Sequence, residues 1–129
     1  MINRLKLALA NTKIYVVKGY AIAEVRQVPK IPVFSRIYEG NKVSIVFEMK
    51  YKSRIRSKKI QTGYDIIKLE APFDFELCGY IASITLALAR HKIPVMAFSS
   101  YSFDYLLVKS KDCEKALATI DALVKYAPR

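Results

Sequence analysis

The sequence predicts an α+β fold, in which two helices pack on one face of a mainly antiparallel sheet. Segments rich in Val, Ile, Tyr and Phe, which are typical of strands, fill the first half of the chain. In the second half, apolar residues recur at the spacing of amphipathic helices, between further strand-like segments. The chain has 129 residues, of which 53% are hydrophobic. This composition is that of a small globular protein.

The first half contains four strand-like segments, which are residues 13–18, 20–28, 33–38 and 42–49. Gly19 separates the first two, as expected of a bulge or bend. "EGNK" at 39–42 is a tight-turn signal, because Gly40 and Asn41 both tolerate positive φ. We therefore predict a hairpin over 33–49 and no helix in this half of the chain.

The second half has the order β-α-β-β-α between residues 64 and 126. The strands are 64–72, 93–100 and 103–109, and the first helix carries an apolar stripe at Leu77, Ile81, Ile84 and Leu88. Asp74 is its candidate N-cap or first-turn anion. The last helix begins after Ser110, with a core face of Cys113, Ala116, Leu117, Ile120, Leu123 and Val124.

Such an order is one strand short of a ferredoxin-like βαββαβ unit. The N-terminal half is the favoured source of the missing strand, because it has strands to spare. A partner chain could also supply that strand, or the strand could be absent.

Charge is spread unevenly along the chain. The net charge is +11, and residues 1–59 hold 14 basic against 3 acidic residues, whereas residues 60–129 hold 8 of each. "KYKSRIRSKK" at 50–59 dominates the basic half. Its alternating cations Lys50, Lys52, Arg54, Arg56 and Lys58 would share one face of an extended chain.

These five cations are candidate contacts for nucleic acid or another anion. A sheet edge protected by lysines, a loop, or a merely Lys-rich composition explains them as well. Only Tyr51 offers a ring for base stacking, which disfavours nucleic acid.

Enzymatic and metal-binding motifs are missing from the sequence. It contains one histidine, His91, and no Ser/His/Asp order, HExxH, Walker loop or GxGxxG. Cys78 and Cys113 lack CxxC spacing and are predicted to be free thiols. No apolar run has membrane-spanning length, and the N-terminus lacks a signal-peptide pattern. We expect a cytoplasmic protein that is not an enzyme and uses no metal or cofactor.

Two segments carry a more specific pattern, "LEAPFDFELCGYIASI" (69–84) and "AFSSYSFDYLLVKSKDCEKAL" (97–117). They resemble the ACT-domain family, and within it the small stand-alone proteins related to cytosolic arginine sensors. The residues that match the family pattern are Leu69, Glu70, Pro72, Asp74, Phe75, Leu77, Gly79, Ala82, Ser83 and Ile84, then Ala97, Ser99, Tyr101, Asp104, Tyr105, Leu107 and Val108. Ala71, Cys78, Tyr80 and Ser100 depart from it.

The resemblance implies an ACT-like domain at 63–129. The β-rich subdomain at 1–62, with its basic segment 50–59, would extend the sheet or form a second, degenerate ACT-like subdomain. ACT domains bind small molecules, typically amino acids, at an interface between domains or subunits, so a homodimer is expected.

The ligand-binding positions implied by the resemblance are Gly79, Tyr80, Ser100, Tyr101 and Asp104. Backbone N–H groups near Gly79 would bind a carboxylate, and Asp104 would accept hydrogen bonds from an ammonium group. Tyr80 replaces a small aliphatic residue and would narrow or fill the pocket. Three of these positions also have a purely structural explanation. Gly79 would allow tight packing of a helix on the sheet, Asp104 would be a turn or edge-strand carboxylate, and Tyr101 would be an ordinary aromatic residue of a strand.

The expected function is therefore regulatory binding of a small molecule, most simply an amino acid. The alternative is a basic protein that contacts nucleic acid or an acidic partner through 50–59, with the ACT-like half as a dimerisation scaffold. A third hypothesis is a pure oligomerisation unit.

Overall fold

The computed structural model describes residues 2–72 and 75–125. Its elements are α1 (Ile2–Ala10), β1 (Lys13–Val25), β2 (Ser35–Glu39), β3 (Lys42–Glu48), β4 (Ile60–Glu70), α2 (Tyr80–Arg90), β5 (Val95–Ser99), β6 (Asp104–Lys109) and α3 (Cys113–Lys125). The predicted α+β fold class is confirmed. None of the described helices has the length and apolar character needed to cross a membrane.

The strands hydrogen-bond in the order β2-β3-β1-β4-β6-β5. The chain forms two compact units, the first containing residues up to Val17 and from Ile66 onward, the second Lys18–Asp65. Strands β1 and β4 therefore contribute residues to both units. The predicted domain boundary between residues 62 and 63 differs from this division, because the first 17 residues belong to the unit that contains α2 and α3.

Three helices pack on one face of the strands in the first unit. Its core contains Ile67 and Leu69 of β4 and Leu106 and Val108 of β6, which alternate along their strands and so share a face. The predicted apolar residues of α2 and α3 pack against them, although α2 begins at Tyr80 and Leu77 precedes it. The strand next to β4 in this unit is β1. The N-terminal half thus supplies the strand that the βαββα order lacks.

Helix α1 corrects the prediction that the N-terminal half is all-β. Leu5, Ala8 and Leu9 lie at i, i+3 and i+4, on one helix face, and Ala8 and Leu9 are buried in the core of the first unit. A nine-residue helix is too short to be stable alone, so its packing onto α2 and α3 stabilises it.

The second unit contains the predicted hairpin, which is confirmed. Strands β2 and β3 pair antiparallel from Ser35↔Val46 to Glu39↔Lys42, and Gly40 in the turn has φ +57°. Strand β1 pairs with the other edge of β3, from Tyr20↔Glu48 to Val25↔Val43. The core of this unit consists of Ala21, Ala23, Val25, Ile31, Val43, Ile45 and Phe47.

The basic segment 50–59 does not form the extended strand on which a single cationic face depends. A 3₁₀ helix covers Met49–Arg54, and an irregular loop follows it as far as β4. Tyr51 and Ile55 are half-buried and pack against the core of the second unit. This packing fixes the segment, and the alternation of cations in the sequence only imitates the period of a strand.

Candidate ligand-binding site

A cavity of about 460 Å³ opens in the first unit beside the turn between β5 and β6. Residues 99–104 form one wall of this cavity, and Ala71 and Phe75, which follow β4, contribute to another. The two parts of the wall follow β4 and β5, the two strands that the crossover through α2 connects, so the fold brings them together from distant points in the sequence.

Hydrogen bonds fix the 99–104 turn. Ser99 and Asp104 face each other as the last pair of the β5–β6 ladder, and the Ser100 N–H donates to the Phe103 carbonyl at 3.0 Å. The Ser99 hydroxyl donates to Asp104 Oδ1. The Asp104 carboxylate is therefore held in position at the cavity wall.

Aromatic rings from both parts of the wall meet at the cavity. Phe75 and Tyr101 pack edge to face with ring centroids 4.9 Å apart, although they remain 74% and 84% exposed. The Lys68 ammonium lies 3.7 Å from the centroid of the Phe103 ring, a cation–π contact that places positive charge beside the lining.

The arrangement is suited to binding rather than to covalent chemistry. Its described lining offers the Asp104 carboxylate as an acceptor, serine hydroxyls as donors or acceptors, and apolar rings. Within residues 2–72 and 75–125, no three His, Cys, Asp or Glu side chains are grouped as metal ligands would be.

Three of the five predicted ligand-binding residues, Ser100, Tyr101 and Asp104, line this cavity together. Phe75 and Phe103 are lining residues that sequence reasoning missed. A signal for Phe75 was present, because it lies in the segment 69–84 that resembles the family pattern.

Gly79 is placed outside the lining, at the N-cap of α2. Its φ is +92°, and a Cβ there would lie 3.1 Å from Leu5 Cδ2 of α1. Both facts favour glycine, because other residues are strained at positive φ and would contact Leu5. Asp74, the candidate N-cap or first-turn anion, lies outside the described residues, and the N-cap position belongs to Gly79.

Tyr80 is a core residue of the first unit and does not line the cavity. Its side chain is 3% exposed. The Thr12 hydroxyl donates to the Ala8 carbonyl at 2.9 Å, so the Tyr80 hydroxyl is the donor in its 2.8 Å hydrogen bond with Thr12 Oγ1. Burial raises the pKa of Tyr80 to about 12, and the negative charge of Asp104 adds to this shift.

Only some of the five predicted anion-contact residues lie together in the structure. Arg54, Arg56 and Lys58 line a separate cavity in the second unit, whereas Lys50 and Lys52 do not. Lys50 instead lies 3.5 Å from the Glu48 carboxylate.

Residues 59–122 match the family model of the ACT domain. This segment of the chain belongs to the ACT-domain family. The ACT domain begins just before β4 and ends within α3, so it contains the whole cavity at 71–104. The likeness to arginine sensors stays a prediction.

Solved structures share the fold over most of the chain. A Vibrio cholerae protein of unknown function is 18% identical and has a TM-score of 0.77, with 95% of this chain and 98% of that chain covered. An Agrobacterium tumefaciens protein is 25% identical, with a TM-score of 0.69 and coverages of 88% and 90%. The ligand-free regulatory subunit of aspartate kinase from Thermus thermophilus is 10% identical, with a TM-score of 0.64 and coverages of 88% and 98%. No curated protein sequence matches this chain.

Proposed function

We propose that the chain is a non-enzymatic regulatory protein that binds an amino acid or a closely related small molecule in the cavity beside the 99–104 turn. The ACT-domain match and the likeness to a regulatory subunit of aspartate kinase support a regulatory, small-molecule role. One observation carries the choice of ligand, namely the Asp104 carboxylate in a wall of serine hydroxyls and aromatic rings.

Each part of an amino acid has a counterpart at this cavity. Asp104 is the acceptor for the ammonium group, in a charge-assisted hydrogen bond. Lys68, beside Phe103, supplies positive potential for the carboxylate. Phe75 and Tyr101 provide apolar surface for the side chain. A volume of about 460 Å³ lies in the usual range for small-molecule pockets.

The described lining of the cavity is poor in groups that catalysis would need. Ser99 donates to a carboxylate, but no histidine, cysteine or lysine is among the described residues that line the cavity. A serine nucleophile needs a base that removes its proton, most often histidine. The proposal also includes a cytoplasmic location and a homodimer in which the second copy shields the exposed Phe75 and Tyr101 rings.

A thermal-shift screen of the full chain against the twenty amino acids tests the ligand. A ligand at 100 times its Kd adds about 2.7 kcal/mol to the free energy of unfolding. For each hit, Asp104→Asn is expected to weaken binding about tenfold or more, because it removes a charge-assisted hydrogen bond. Asp121→Asn is the matched control, since Asp121 is exposed on α3 and away from the cavity.

Calorimetric titration of both variants gives the dissociation constants. A flat screen at millimolar concentrations of every amino acid would contradict the proposal and favour a pure oligomerisation unit. Equal weakening by the two substitutions would show that Asp104 acts only through its charge at a distance.

A further inference from the structure

The second unit contains a larger cavity, of about 760 Å³, with a strongly cationic wall. Seven of its lining side chains are basic, and one, Glu24, is acidic. Four of the cations belong to the basic segment and three come from elsewhere in the unit; they are Arg54, Arg56, Lys58 and Lys59, then Arg26, Lys30 and Lys42. Three separate segments thus direct positive charge to one concave surface.

Hydrogen bonds hold the loop that carries Arg56 and Lys58. The Glu24 N–H at the end of β1 donates to the Lys59 carbonyl at 3.0 Å. The Ser57 hydroxyl donates to the Glu24 carbonyl at 2.7 Å and accepts from the Lys59 N–H at 3.0 Å. The backbone beneath these cations is therefore anchored to the sheet.

Apolar contacts anchor the rest of the wall. Ile55 and Ile60, on either side of the cationic loop, pack against the core of the second unit, and so does Val28 between Arg26 and Lys30. A pre-positioned set of charges loses less entropy when it binds a ligand than a mobile set does.

Most of this charge has no counterion among the residues that the structure describes. Lys59 forms an ion pair with Glu24 at 2.9 Å. For the part of the chain that the structure describes, Arg54, Arg56 and Lys58 have no ion pair. Concentrated like charge of this kind repels itself and attracts anions, and a concave wall strengthens that attraction.

We propose that this cavity binds a compact polyanion that carries two or more phosphate groups, such as an inorganic oligophosphate or the phosphate chain of a nucleotide. Guanidinium groups bind phosphate oxygens in pairs, and ammonium groups add point charges, so the wall offers both modes. This site is distinct from the amino-acid cavity and independent of its proposed ligand.

The shape and lining favour a compact anion over a nucleic-acid strand. Proteins that bind single strands place cations along a groove and stack bases on aromatic rings. Here the cations surround one concave space. The other described residues that line it are aliphatic or polar, and none of them is aromatic.

Calorimetric titration of the full chain with sodium tripolyphosphate, pyrophosphate and orthophosphate tests the proposal. Affinity is expected to rise with the number of phosphate groups and to fall as salt is added. ATP distinguishes the two sources of the phosphate chain, since binding tighter than that of tripolyphosphate indicates a nucleotide and equal binding an oligophosphate. A single-stranded oligothymidylate is the competing ligand.

Two double variants of the basic segment remove the same charge from different places. Arg54→Gln/Arg56→Gln is expected to weaken tripolyphosphate binding about tenfold or more, because charge-assisted hydrogen bonds are lost. Lys50→Gln/Lys52→Gln, outside the lining, is expected to weaken it less than about threefold, because charge effects are screened beyond about 8 Å at physiological salt. Circular dichroism checks that each variant is folded.

If the arginine variant fails to fold, Lys42→Gln/Lys58→Gln provides the same test from other elements, with the same expected loss. Equal weakening by the lysine control would overturn the proposal, because only the overall field would then matter. The absence of binding by every phosphate compound would overturn it too, as would binding of oligothymidylate alone.

Discussion

The two cavities differ in how they present charge to a ligand. In the first unit, Asp104 is the one carboxylate in the described lining, among serine hydroxyls and aromatic rings. In the second unit, seven cations surround a space without aromatic rings in the described lining. The first arrangement is suited to selecting a ligand by a few groups at fixed spacing, whereas the second is suited to attracting anions by the sum of many charges.

This difference explains why the two cavities leave different traces in the sequence. Groups at fixed spacing produce a pattern, and the ACT-domain match at 59–122 contains the first cavity entirely. A sum of charges depends little on the order of the residues in the sequence. It is therefore visible in the composition, as 14 basic residues among the first 59. The family pattern and the net charge therefore indicate different sites on one chain.

Substitution of two phenylalanines compares a core position of the second unit with a cavity position of the first. Phe47 on β3 is fully buried, so Phe47→Ala should lower the free energy of unfolding by about 3–5 kcal/mol. Phe75 is 74% exposed, so Phe75→Ala should change it by no more than about 0.5 kcal/mol while weakening ligand binding. Urea titration of both variants measures the contrast. If the two losses were similar, Phe75 would be a structural residue.

Substitution of two glycines with positive φ, one in each unit, compares the backbone of the two units. Gly79 and Gly63 have φ of +92° and +80°, so substitution by alanine should cost about 1–2 kcal/mol at each. Gly79→Ala should cost more, because its Cβ would lie 3.1 Å from Leu5, whereas nothing lies within 4 Å at Gly63. Urea titration measures both losses. An equal cost would mean that Leu5 moves aside freely.

Much of the fold was predictable, because its signals are local. The 33–49 hairpin depends on Gly40 and Asn41, and the core faces of α2 and α3 follow the helical period. Helix α1 was missed, since Leu5, Ala8 and Leu9 form a helix only through packing on distant elements. Thr12, two residues after the end of this helix, is the hydrogen-bond partner of Tyr80.

The candidate site was predictable only in part, for a similar reason. Ser100, Tyr101 and Asp104 belong to one turn, so a single pattern contains all three. Phe75 reaches them across the β-α-β crossover, and that contact depends on tertiary structure. In the basic segment, the alternation of Lys and Arg left an edge strand and a loop both open, and the packing of Tyr51 and Ile55 produces a 3₁₀ helix and a loop.

Tyr80 gives the smallest expected effect. Tyr80→Phe removes the hydrogen bond to Thr12, which keeps its bond to the Ala8 carbonyl, so the loss near pH 8 should be about 0.5–1.5 kcal/mol. The pKa of Tyr80 is about 12 in the folded protein, against 10.0 for an ordinary tyrosine. Between these values the unfolded chain binds fewer protons than the folded chain, so stability falls as pH rises, by up to about 1.4 kcal/mol per pH unit.

The phenylalanine variant lacks this titration, and all other groups are common to both proteins. The advantage of the wild type at pH 8 should therefore shrink or vanish by pH 11, as measured by urea titration at both values. A constant advantage would mean that the Tyr80 hydroxyl is accessible to solvent. The placement of Tyr80 in the core of the first unit, apart from the cavity that Asp104 lines, would then be wrong.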